Sequence, residues 1–117
     1  HGDCHPEQFW VAHGQVVLFD FDEFALGDPM EDLAAFVTKV SLLSGGPAFA
    51  TAMLAAYSRH APTRFDGRRL HWHLAVQQLL QAGRAFVFQV PDWRSQLERR
   101  LSRAESLAAQ LLPESSP

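Results

Sequence analysis

Cysteine occurs once, at Cys4, so the chain has no internal disulfide and suits a reducing compartment. Basic residues never gather into a block longer than a few positions, and the formal charge is −3. Nothing is arranged to neutralise successive phosphates, which argues against nucleic acid as a partner. No apolar run approaches the roughly 20 residues that span a bilayer, and no signal-peptide pattern is found, so no membrane partner is expected and the expected location is cytoplasmic. Internal repeats are absent, as is any linker long enough to divide domains. What is present excludes native disorder: hydrophobic residues make up 47% and charged residues 20% of 117 positions, enough apolar material for a helical core.

Along the chain, residues 8–22 read as a β-hairpin. Phe9, Trp10 and Val11 form one strand, His13-Gly14-Gln15 a turn with glycine where positive φ is needed, and Val16 to Phe19 the return strand. Continued alternation would put Asp20 and Asp22 on one face, opposite Phe19 and Phe21. Asp28-Pro29-Met30-Glu31 is a helix start, with Asp28 as N-cap, Pro29 at the first helical position and Glu31 closing a capping box. Met30, Leu33, Phe36, Val37, Val40 and Leu42 or Leu43 follow at helical spacing. Gly45-Gly46 stops that helix, and Pro47 opens a second that runs to about Arg59. A third helix is expected from near Asp66, with Trp72, Val76, Leu79, Leu80, Phe86 and Val87 on one side. Pro91-Asp92 ends it and caps a fourth, whose stripe is Leu97, Leu101, Ala104, Ala108 and Leu111, with Arg94 and Glu98 as an i,i+4 pair. The expectation is a mainly α chain with one short hairpin, ending in a frayed tail over 113–117.

Two acidic clusters lie close together. The first is His1-Gly2-Asp3-Cys4-His5-Pro6-Glu7-Gln8, and the second is Leu18-Phe19-Asp20-Phe21-Asp22, followed by Gly27-Asp28-Pro29. A hairpin between them folds their ends toward each other. Carboxylates so crowded repel unless a cation or a proton intervenes, which points to hard divalent cations on oxygen ligands. Phosphoryl transfer needs such a set: one carboxylate for the attacking hydroxyl, and a second carboxylate with an amide oxygen for magnesium. Asp3 and Gln8 have the spacing of the Asp and Asn in the protein-kinase catalytic loop, and Asp20-Phe21-Asp22 falls where Asp-Phe-Gly follows it.

These two blocks, together with Gly27-Asp28-Pro29-Met30-Glu31-Asp32-Leu33-Ala34, resemble the aminoglycoside phosphotransferase and choline kinase family over about the first third of the chain. The resemblance implies the C-terminal lobe of a protein-kinase-like α+β fold spanning 1–112, with the loop, hairpin and metal segment in 1–28 and a helical part in 29–112. It implies an ATP-dependent transfer of the γ-phosphate to a hydroxyl of a small molecule, an aminoglycoside, amino alcohol or sugar. Asp3 takes the role of catalytic base and Asp20 that of principal Mg²⁺ ligand. Gln8 stands at the second metal position and His5 near the transferred phosphate. Asp22 and Glu23 fall on the substrate side, while His1, Asp28 and Asp32 brace the structure.

Two departures qualify the pattern. Gln8 replaces the usual asparagine and is one methylene longer. No glycine-rich phosphate loop, strand lysine or partnering glutamate is present either. With the chain opening at His1 and not at methionine, the expectation is a C-terminal fragment whose N-terminal lobe lies upstream, inactive alone. Two other readings stand beside this one. A pseudokinase would keep the fold without turnover. A metal-dependent hydrolase would use His1, Asp3 and His5, which share one face of an extended strand and could grip zinc, manganese or iron. His71 and His73, two apart on a helix, make a poor metal pair, and Cys4 reads as packing.

Overall fold

A computed structural model describes residues 1–112, so the tail expected to fray over 113–117 lies outside the described residues. A single 3₁₀ turn, Pro6–Gln8, leads into two antiparallel strands, β1 (Phe9–Ala12) and β2 (Gln15–Leu18). Four helices follow: α1 (Pro29–Val40), α2 (Gly46–His60), α3 (Gly67–Val87) and α4 (Trp93–Ala109). The chain divides into two compact units, one ending at Asp66 and the other beginning at Gly67. None of the described helices is long and apolar enough to cross a membrane.

The hairpin forms as its sequence dictates. His13 and Gly14 are both at positive φ (52° and 76°), the requirement of a two-residue turn whose twist matches the strands, and Phe9 pairs with Leu18 at the open end. Pairing stops at Leu18, and Asp20 turns into the left-handed region (φ 64°). The expected alternation therefore fails beyond Leu18: Asp20 and Asp22 do not share a strand face, and Phe21 to Phe24 closes as a turn instead. Both strands expose apolar side chains, with Trp10 at 69% and Val11 at 76%.

Helix α1 organises the first unit. Asp28 Oδ1 accepts from Met30 N at 3.0 Å, capping the helix, and Pro29 fills a position that needs no N–H donor. Met30, Leu33, Phe36 and Val40 are buried as their spacing predicts. Leu42 and Leu43 are exposed, because the helix has ended at Val40 and the chain passes through tight turns to Gly45. There φ is +72°, and the next residue, Gly46, is buried with its α-carbon against the Val40 carbonyl, where a Cβ would collide. The core joins Cys4, Phe36, Val40 and Ala50, with Phe9, Val37 and Met53 around it, and Phe9 meets Phe36 edge-on at 5.0 Å.

The second unit pairs α3 with α4. Its buried residues are mostly alanines, with Leu70 and Leu107. In α3 they include Ala75, Ala82 and Ala85, whereas Trp72, Leu79, Leu80, Phe86 and Val87 are each more than half exposed, contrary to the expected stripe. In α4, Ala104 and Leu107 are buried and Leu101 is 40% exposed. Asp92 enters α4 in the left-handed region without a side-chain cap, so its expected capping role is not formed. Arg94 lies over the Trp93 ring at 4.9 Å, and among the described residues no Arg94–Glu98 ion pair exists.

Cys4 is 8% exposed and packed among apolar side chains, and burial pushes its thiol up from 9.0 to about 11, with the charge of Asp32 adding to the effect. A raised folded-state value means that this site's contribution to stability is intact below pH 9.0 and is lost as pH rises toward about 11. Denaturation midpoints measured across that window should therefore fall in the wild type, and the fall should be shallower in Cys4→Ala. An identical slope in both would show that the thiol is not the group responsible.

Candidate functional site

The loop that opens the chain is held from below by α1. Asp32 Oδ2 accepts from the terminal ammonium nitrogen of His1 at 2.8 Å, and Oδ1 accepts from Gly2 N at 3.0 Å. A carboxylate taking two main-chain donors fixes a loop's path more firmly than one bond does. The His1 ring then turns toward the hairpin's end, where its Nε2 lies 3.0 Å from the Phe19 carbonyl. A carbonyl only accepts, so Nε2 carries the proton. The same ring rests 5.0 Å from Phe21. Through these contacts Asp32, His1 and Phe19 form a continuous link from α1 to the residue preceding Asp20.

Gly2 sits at φ +90°, and a Cβ there would strike the Glu23 carbonyl. The segment after Asp20 thus passes directly against the opening loop, which only glycine permits. On the other side, Gln8 ties the two clusters twice. Its main-chain carbonyl accepts from Phe19 N at 3.2 Å, and its Nε2 donates to Asp20 Oδ2 at 2.8 Å. Gln8 is buried while Asp20 is exposed. The longer side chain is accommodated by the 3₁₀ turn, and the expected meeting of Gln8 with Asp20 is present.

Asp3, about half exposed, lies between two basic side chains. Lys39 Nζ donates to Oδ1 at 3.1 Å, and His5 Nε2 lies 3.4 Å from Oδ2. The other ring nitrogen of His5 faces Glu7 at 3.8 Å. His1, Asp3 and His5 do not converge as the hydrolase alternative requires. Residues 1–5 are not a strand, His1 is committed to Phe19 and Asp32, and no described group of three His, Cys, Asp or Glu side chains is placed to hold a metal ion. Asp22 and Glu23 are exposed on the turn after Asp20. Glu23 lines a groove of about 460 Å³ that runs past Gly2 and also meets Asp28, Glu31, Asp32 and Arg64. Asp3 and Asp20 are not among its lining residues.

A family profile described as "Phosphotransferase enzyme family" matches residues 1–73. The chain belongs to the phosphotransferase enzyme family. Comparison with curated proteins and with solved structures gave no match. Membership of the phosphotransferase family implies a kinase-type transfer of a phosphoryl group, and the matched stretch contains both clusters, the hairpin, α1 and α2. Lys39 is the contact that sequence reading missed. It is the chain's sole lysine, and it follows Asp32 and Phe36 at i+7 and i+3, on the face of α1 that meets the loop. That spacing was the available signal.

The close approach at Gly2 sets up a paired test. Gly2→Ala should cost on the order of 2–4 kcal/mol by urea denaturation, combining positive-φ strain with collision against main chain. Gly14→Ala, at positive φ but with nothing within 4 Å, should cost about 1 kcal/mol. Equal losses at the two positions would contradict the packing of Glu23 on Gly2.

Proposed function

We propose that this chain is the C-terminal lobe of an ATP-dependent small-molecule kinase, moving the γ-phosphate to a hydroxyl of an aminoglycoside, an amino alcohol or a sugar-like acceptor. The observation that carries the reading is the junction of the two clusters: Gln8 and Asp20, twelve residues apart, meet at 2.8 Å. The loop bearing Asp3 is bound to the same junction through His1 and Phe19.

In this reading Asp3 accepts the proton of the attacking hydroxyl, and the loop holds it in place. Asp20 would supply a carboxylate. Gln8, with its amide turned over from the orientation in which Nε2 donates to Asp20, would supply a neutral oxygen. That pair would suit Mg²⁺, whose other positions phosphate and water would fill. Bound there, the ion would neutralise charge on the nucleotide phosphates. His5, on the Asp3 side of the loop, is the residue assigned to the transferred phosphate. Asp22 and Glu23 face the acceptor. The groove beside Gly2 carries four carboxylates, but Asp28 caps α1 and Asp32 holds the loop. Glu23 and Glu31 are then the groove's contribution to a cationic acceptor. Exposed Trp10, Val11, Val16 and Val17 on a two-stranded hairpin, an arrangement marginal by itself, support a covering N-terminal lobe that brings the glycine-rich phosphate loop.

Calorimetric titration of ATP into the full-length protein, with and without Mg²⁺, tests the reading. Binding should depend on Mg²⁺, and Asp20→Ala should weaken it by about 100-fold or more. Mg²⁺-independent binding, or equal binding by the variant, would remove the metal role of Asp20. Binding without any turnover of ATP would favour the pseudokinase reading.

A further inference from the structure

We propose that Lys39 is a positioning residue for Asp3, fixing the orientation of the carboxylate that receives the acceptor's proton. The proposal rests on the kinase reading above and extends it to a residue that neither loop nor metal segment contains. Lys39 reaches Asp3 from α1, thirty-six residues along the chain, and its Nζ donates to Oδ1 at 3.1 Å. Its side chain is 25% exposed while that of Asp3 is 46% exposed. The ammonium is thus the more buried partner of the pair, and the Asp3 side chain keeps about half of its surface exposed.

An aspartate has two equivalent oxygens and a side chain free to turn about χ2. Catalysis by a base requires one oxygen to sit within hydrogen-bond reach of the hydroxyl in a defined direction. Lys39 Nζ holds Oδ1 at 3.1 Å and His5 Nε2 lies 3.4 Å from Oδ2, so the carboxylate is gripped at both oxygens, with the α1 contact coming from Lys39. During transfer the acceptor O–H bond breaks, with its proton passing to the Asp3 carboxylate. The acceptor oxygen forms a bond to the γ-phosphorus, and the bond from that phosphorus to the bridging oxygen breaks, its electron pair leaving with ADP. Lys39 makes no bond in this sequence. It holds the accepting carboxylate at one orientation and balances its charge beside an anionic nucleotide. The helix is suited to that work, because Asp32, Phe36 and Lys39 occupy one face: Asp32 fixes the loop's main chain, Phe36 packs under it against Cys4, and Lys39 fixes its reactive side chain.

The test uses the full-length protein, with water as the acceptor and ADP release from Mg-ATP as the readout, beside calorimetric Mg-ATP affinity. Lys39→Met should slow ADP release by about tenfold or more, since misplacing a catalytic group costs rate steeply. Mg-ATP affinity should change by less than about twofold, because Lys39 acts on the transition state and not on nucleotide binding. Lys39→Arg, which keeps a cation at that position, should recover most of the lost rate. In an Asp3→Asn background, Lys39→Met should cause no further slowing, as expected for a group acting through Asp3. The proposal is overturned by wild-type rates in Lys39→Met, by failure of Lys39→Arg to recover, or by independent slowing in the Asp3→Asn background. Loss of Mg-ATP affinity in Lys39→Met would overturn it too, showing a structural role. A wild-type protein that binds no Mg-ATP would refute the kinase reading itself, and this assignment with it.

Discussion

The grip of one carboxylate on two main-chain nitrogens underlies the rest of the site. Asp32 is set on the first turn of α1 by the Asp28 cap and Pro29, and it reaches His1 and Gly2 from there. Bonds to an ionised acceptor are each worth roughly 1.5–3 kcal/mol, more than neutral pairs. Their larger effect is directional. With the main chain at residues 1 and 2 fixed, the His1 ring has one place to go, against Phe19 and Phe21, and Asp3 is delivered above Phe36 within reach of Lys39. Removing that carboxylate would free residues 1 and 2, leaving the loop held to α1 by Lys39 and Cys4 and to Asp20 by Gln8.

The site contains two of the chain's left-handed backbone positions. Gly2 is at φ +90° and Asp20 at φ +64°, the first demanded by the Glu23 main chain and the second by the exit from β2. Left-handed geometry is uncommon for a residue with a side chain, though aspartate tolerates it better than most. Asp20 is held there because Phe19 is bonded on both sides, its N–H to the Gln8 carbonyl and its carbonyl to His1, while the Asp20 carboxylate accepts from Gln8. A strained residue fixed by several independent contacts is the pattern of a working site. Here it turns the Asp20 carboxylate out of the sheet's alternation and toward the opening loop.

How much of this was legible in the sequence depends on whether the signal is local. Proline, glycine and aspartate mark chain reversals by their own stereochemistry, so the hairpin turn, the start of α1 and the break before α2 are readable from residues 13–14, 28–29 and 45–47. The two motif blocks and their separation gave the family and brought Gln8 to Asp20. Alternation misled beyond Leu18, since a period-two pattern carries no notice that the next residue but one will turn left-handed. In the second unit, hydrophobic spacing gives weight to Trp72, Leu79 and Phe86. Close helix packing selects the smallest side chains instead, and alanines are weak signals in any periodicity. The spacing of Lys39 from Asp32 and Phe36 marks its face of α1, but its pairing with Asp3, thirty-six residues away, is set by tertiary packing.

Gln8 shows how a departure from a family's pattern can be absorbed. An extra methylene at this position would push an amide past its partner if the backbone stayed where an asparagine needs it. The chain places Gln8 at the end of the Pro6–Gln8 turn, buried, with its carbonyl paired to Phe19 N. That pairing fixes the main chain, and the added length is spent inside the fold, reaching Asp20. The terminal amide offers a donor on one side and an acceptor on the other, and its last torsion is soft. As the amide stands, its N–H₂ holds the Asp20 carboxylate in place. Turned over, it presents an oxygen beside that carboxylate, which is what a hard cation requires. Glutamine thus keeps the amide oxygen that asparagine carries, one methylene farther from the main chain.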